Sequence, residues 1–112
     1  MEIAFDNTKL KKLANDFNKC QKEMGTRRAK LFNKRLGDFR NAITLEDVRH
    51  LPGRYHELAA DRKGQWACDL DHPYRLIFQP LEAIIPTDEN GKYIWNEIKG
   101  VNIIAITDYH GK

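Results

Sequence analysis

The chain has 112 residues and a mass of 13.1 kDa, room for one domain, residues 1–112, with a small core. Hydrophobic residues at 41% and charged residues at 31% exclude an unfolded chain. No run of about 18 uncharged apolar residues is present to span a bilayer, and no secretion signal opens the sequence. Cys20 and Cys68, 48 positions apart and outside any CxxC or Cys/His spacing, exclude a disulfide scaffold and a zinc finger. A cytoplasmic, thiol-reduced protein is expected.

The net charge of +3 hides an asymmetry. Residues 9–40 hold eleven Lys/Arg against three acids, a net of +8, which leaves −5 for the remainder. Such a basic face suits a polyanion. It also suits an acidic protein partner or a merely solvated helix surface, and charge alone leaves these open.

Ile3 to Phe5 reads as a short edge strand. Thr8 to Met24 reads as one helix, with Leu10, Leu13, Ala14, Phe17, Cys20 and Met24 on a single stripe. Gly25 is a stop signal. Thr26 is expected to cap a second helix with the stripe Ala29, Phe32, Leu36, Phe39 and Ile43. A joint this short between two amphipathic helices implies an antiparallel hairpin. Thr44-Leu-Glu-Asp47 has the pattern of a capping box for a further short turn.

From Leu51 onward the period becomes 2. Pro52-Gly53 is a turn and Tyr55 to Leu58 begins a strand. Asp61-Arg62-Lys63-Gly64 connects it to an antiparallel neighbour, in which Trp66, Cys68 and Leu70 face the core and Ala67 and Asp69 a wetter side. After the Asp71-His72-Pro73 turn, Tyr74 to Gln79 puts Tyr74, Leu76 and Phe78 on one face and Arg75 and Ile77 on the other. Val101 to Thr107 has the nearly all-apolar look of a central strand. Between these strands, residues 80–100 carry Asn90-Gly91 between apolar residues, the signal of a protruding hairpin. Trp95 in this excursion is a candidate partner anchor, whereas Trp66 and both cysteines belong to the core. The fold class is α+β: an N-terminal antiparallel helical hairpin packed on a small, mainly antiparallel sheet.

The residues with chemistry lie in the strand half. His56, His110 and Asp108 can exchange protons, while Arg62, Lys63 and Arg75 offer fixed positive charge. His50 and His72 read as structural. If the first two groups converge, they describe a centre that cuts RNA without metal: a base takes the 2′-OH proton, cations stabilise the pentacovalent phosphate, and an acid protonates the leaving oxygen. No spacing suggests metal ligands, and no cofactor is expected.

The ordered set His56-Glu-Leu-x-x-Asp61-Arg62-Lys63-Gly64-x-Trp66, Tyr74-Arg75-Leu76-x-Phe78 and Asp108-Tyr109-His110 resembles the HigB-type killer toxins of the RelE/ParE superfamily. The match spans about residues 50–80 and 101–112. It implies a toxin that cuts mRNA in the ribosomal A site. The implied partner is a HigA-like helix-turn-helix antitoxin that neutralises the toxin and represses their operon. Carried over by position, His56, Asp108, Tyr109 and His110 are catalytic, Tyr109 stacks on or orients a nucleotide, and Arg75 holds the scissile phosphate. Which of His56, Asp108 and His110 is base and which acid stays open. The basic face (Lys11, Lys12, Lys19, Arg27, Arg28, Lys34 and Arg35), with Arg62 and Lys63, would contact RNA and ribosome. No membrane partner is implied.

Two departures stand out. Relatives usually carry Lys-Gly or a similar pair before the Asp-Arg, where this chain has Ala59-Ala60, and the 80–100 excursion is longer than the turn expected there. Within the superfamily, ParE-like members poison gyrase by protein contact alone, and a non-catalytic ribosome- or RNA-binding module is a further alternative. The two histidines and the carboxylate favour cleavage.

Overall fold

A computed structural model describes residues 1–108. Five strands form one mixed sheet: β1 (Glu2–Phe5), β2 (His56–Glu57), β3 (Trp66–Asp69), β4 (Tyr74–Pro80) and β5 (Gly100–Asp108), in the order β1-β5-β4-β3-β2. Only β1 and β5 pair in parallel; every other neighbour is antiparallel. Three helices, α1 (Thr8–Asn15), α2 (Phe17–Met24) and α3 (Thr26–Asn41), complete the α+β fold.

The helical half follows the expected stripes with four differences, the first being that Phe17, expected on the first stripe, is 38% exposed. The predicted helix from Thr8 to Met24 breaks at Asp16, which leaves helical space at φ −136° and ψ 94° and accepts the Lys19 backbone N–H at 3.1 Å. A short acid side chain competes for backbone donors and so starts a new helix in place of continuing the old one. Thr26 is not the cap of α3. That position falls to Gly25 at φ +87°, and the Thr26 hydroxyl accepts from Gln21 Nε2 at 3.0 Å. Ile43 lies beyond the end of α3 and is 80% exposed, whereas Ala29, Phe32, Leu36 and Phe39 are buried as expected.

The core lies between α3 and one face of the sheet. Phe39 meets Phe78 edge-on at 4.8 Å and Tyr55 at 5.6 Å, and the same cluster contains Trp66, Cys68, Leu76 and Ile103. Burial pushes the Cys68 thiol well up, and both cysteines are free and buried. The turn from Leu45 to Val48 forms as a single 3-10 turn with its capping box: the Asp47 carboxylate accepts the N–H groups of Thr44 and Ile43. Ala67, expected on the wetter side, is fully buried.

The 80–100 excursion has the Asn90-Gly91 turn, with Gly91 at φ +80° and one bridge between Thr87 and Tyr93. It then folds back. Trp95, expected as an exposed anchor, is 4% exposed, packs edge-on to Trp66 at 5.8 Å and donates its indole N–H to Glu57 at 2.8 Å. An indole this large gains more from burial with its one donor satisfied than from solvent.

Candidate functional site

Strand register decides which predicted site residues share a face. His56 stands opposite Ala67, Ile77 opposite both Ala67 and Ala105, and Arg75 opposite both Asp69 and Thr107. Residues paired across strands, and those two apart along a strand, point to the same side. His56, Asp69 and Arg75 therefore share the face turned away from Trp66, Cys68, Leu76 and Phe78. His56 and Arg75 are two strands and two residues apart, about 12 Å between Cα atoms, a span that one nucleotide and two side chains can bridge.

A turn sets His56. Gly53 at φ +124° and Arg54 at φ +49° reverse the chain just before β2. A Cβ on Gly53 would stand 2.8 Å from Arg35 Nε, so glycine is required where that guanidinium passes. The His56 ring then meets the Arg54 carbonyl oxygen through Nδ1. A carbonyl only accepts, so Nδ1 carries the hydrogen and Nε2 holds the lone pair of the neutral ring.

Arg75, half-buried on β4, faces Asp69 at 3.6 Å. Asp69 in turn accepts two hydrogen bonds from Arg54, at 2.7 Å from Nε and 3.2 Å from Nη2, which stabilises the charged Arg54 further. Sequence reasoning missed both Arg54 and Asp69 as site residues. The signals were an arginine two residues before His56 and an aspartate on a strand otherwise apolar.

Asp108 closes β5 opposite Tyr74, so its register position is on the other face, the one towards α3. Tyr109 and His110 lie outside the described residues. Among the described residues, no three His, Cys, Asp or Glu side chains are gathered to hold a metal ion.

The predicted basic face divides. Lys11, Lys12 and Lys19 are exposed around one hollow with Thr8, Asn15 and Asp16, and Arg27, Lys34 and Lys63 are also exposed. Lys34 comes within 4.0 Å of Asp38, and Arg62 donates to Gln65 at 3.0 Å. Arg28 is a clamp: its guanidinium lies 3.4 Å over the Tyr74 ring and donates to Asp71 at 2.9 and 3.2 Å. Arg35 is corrected outright. It is 6% exposed and donates Nε to the Asp69 carbonyl at 2.8 Å, so it offers no surface contact. Both arginines sit on the inner side of α3, where the sheet edge supplies acceptors.

No protein-family model and no curated protein matches the chain. Solved structures do. A YoeB/ParE toxin from Agrobacterium tumefaciens matches with a TM-score of 0.59 at 9% identity, over 98% of this chain and 100% of that one. The YoeB-YefM complex from Staphylococcus aureus matches at 0.56 and 17% identity, over 98% and 97%. The fold is that of the YoeB/ParE toxins. A YoeB dimer from Staphylococcus aureus has the same YoeB/ParE architecture, at a TM-score of 0.55 and 16% identity over 98% and 97%. Among the described residues of this YoeB/ParE fold, no helix is long and apolar enough to cross a membrane.

Proposed function

We propose that this chain is a single-domain, cytoplasmic HigB-type toxin of a type II toxin–antitoxin pair that cuts mRNA on the ribosome without metal. The reading is carried by one observation: His56 and Arg75 share one face of the sheet, the side opposite Trp66 and Phe78, with the His56 ring oriented by the Arg54 carbonyl. In the reaction, His56 Nε2 takes the proton of the 2′-OH. O2′ then bonds to phosphorus while Arg75 stabilises the pentacovalent phosphate. The P–O5′ bond breaks, and the 5′-oxygen takes a proton from His110, leaving a 2′,3′-cyclic phosphate. Tyr109 stacks on a nucleotide. These last roles rest on the sequence resemblance.

The likeness to YoeB chains supports the toxin reading, since one of those structures is a heterotetrameric YoeB-YefM toxin-antitoxin complex. For this chain we take the partner to be a HigA-like helix-turn-helix antitoxin. Exposed Lys11, Lys12, Lys19, Arg27, Lys34 and Lys63 are the groups available to phosphates of mRNA and ribosomal RNA.

Primer extension on a reporter mRNA after brief induction tests the reading. New 5′ ends within codons are expected, and they should vanish in Arg75→Ala and His110→Ala. Growth arrest with intact mRNA and inhibited gyrase would replace it with a protein-binding toxin. Binding to the ribosome without arrest would leave an inactive binding module.

A further inference from the structure

Residues 80–100 return to the sheet as a closed unit. The Asp88 N–H donates to the Lys92 carbonyl at 2.8 Å and the Ile94 N–H to the Pro86 carbonyl at 2.9 Å. The Asp88 carboxylate accepts the N–H groups of Asn90 and Lys92 at 2.8 and 3.0 Å. Beyond that hairpin the Leu45 N–H donates to the Ile98 carbonyl at 2.9 Å, which ties the excursion to the capped turn Leu45–Val48. Trp95 sits at this junction. The Arg49 guanidinium lies 4.1 Å over its ring and is itself paired with Glu46 at 2.8 Å, while Trp66 packs edge-on to it. Such contacts hold an aromatic ring in one orientation.

The strand that Trp95 reaches is the one in most need of support. β2 has two residues, lies at the edge of the sheet and, among the described residues, pairs with β3 alone. Short elements with few partners open most readily. Alternation along the strand puts Glu57 on the Trp66 side and His56 on the other. The two side chains are anchored separately: the His56 ring at the Arg54 carbonyl, and the Glu57 carboxylate at the Trp95 indole N–H, 2.8 Å away. A single peptide plane joins them. A shift of Glu57 turns that plane, and with it the direction in which His56 presents Nε2. A misplacement of about 1 Å can lower a rate about 10²-fold. The same excursion also meets the loop after β2, where Ile85 comes within 3.6 Å of the place a Cβ on Gly64 would take.

We propose that Trp95 and Glu57 are positioning residues for His56: the excursion holds the Glu57 side of β2 so that the imidazole on the other side presents Nε2 in one direction. This assignment rests on reading His56 as the base that takes the 2′-OH proton. Neither Trp95 nor Glu57 touches the reacting atoms. The added length at 80–100 thus serves the edge of the sheet that carries His56.

The test compares full-length wild type, Glu57→Leu, Glu57→Gln and Trp95→Phe, each well below its melting temperature. Leu and Gln both remove the charge, but only Gln keeps an acceptor for the indole. The first readout needs no substrate: the ring-nitrogen signals of His56 in NMR spectra. Wild type and Glu57→Gln are expected to keep the hydrogen on Nδ1. Glu57→Leu and Trp95→Phe should move towards the tautomer mixture of a free imidazole. The second readout is cleavage of an mRNA paused on purified ribosomes. There kcat should fall about tenfold in Glu57→Leu and Trp95→Phe with KM within about twofold, and Glu57→Gln should stay within about twofold of wild type. In a His56→Ala background, Glu57→Leu should slow the reaction no further, because a residue that acts through His56 has nothing left to position.

Unmoved ring signals in Glu57→Leu overturn the assignment. So does a Glu57→Gln variant as slow as Glu57→Leu, which would make the charge the cause in place of the bond. Further slowing in the His56→Ala background overturns it as well. A wild type that leaves the message whole ends the nuclease reading, and the ring signals then decide the positioning of His56 by themselves.

Discussion

The two faces of the sheet use arginine for opposite ends. Towards α3, Arg35 and Arg28 are consumed: one is buried on the Asp69 carbonyl, the other stacked on Tyr74 and paired with Asp71. On the opposite face, Arg54 and Arg75 both face the Asp69 carboxylate and border a hollow. A guanidinium packed beneath a helix on protein acceptors gives rigidity. One at the edge of solvent can also meet a ligand. The difference teaches that charge counted along a helix does not measure a binding face; the acceptors packed beneath it decide.

Substitutions on the two faces should therefore move different quantities. The largest effect is on the inner face: Phe39→Ala removes a fully buried ring packed on Phe78 and Tyr55 and should cost about 3–5 kcal/mol in denaturant unfolding. On the opposite face, Arg75→Ala should lower mRNA cleavage about 10²–10³-fold while its melting curve moves little. If both variants lost stability alike, the division between the faces would fail.

Much of this architecture is legible in the sequence, for physical reasons. Strand alternation places Trp66, Cys68, Leu76 and Phe78 on the core side, although Ala67 and Ile77 on the other side are buried as well; Gly25 marks the one left-handed joint between helices, and the Thr44–Asp47 box caps its turn. What escaped depends on tertiary partners. The Asp16 break is a contest between two local hydrogen-bonding options. Arg35 falls on the helical stripe yet reads as surface until the Asp69 carbonyl appears beneath it. Trp95 looks like a docking anchor until Glu57 satisfies its N–H. Of the site, His56 and Arg75 are visible through the ordered motif, whereas Arg54 and Asp69 emerge only from the register that brings residues 54, 69 and 75 together.

Smaller effects sharpen the same contrast. Ala60, at φ +57°, occupies a conformation that favours glycine. Ala60→Gly should raise stability by about 1 kcal/mol, read as a melting temperature several degrees higher. The Arg28 guanidinium beside Asp71 holds its carboxyl below the usual carboxylate range. A depressed carboxyl contributes stability above its unfolded value, about pH 4, and that contribution is lost as the pH falls through the folded value. Asp71→Asn should flatten this part of the acid limb, lowering stability near neutral pH by about 1 kcal/mol or less.

Single-turnover cleavage of an mRNA paused on purified ribosomes, by wild type and His56→Ala, tests most directly whether the face that holds His56 and Arg75 is the reacting one. The expected result is a cut message with wild type and a rate at least about 10²-fold lower for His56→Ala, at an unchanged melting temperature. An equal rate for the two proteins, or a message left whole by the wild type, would contradict it.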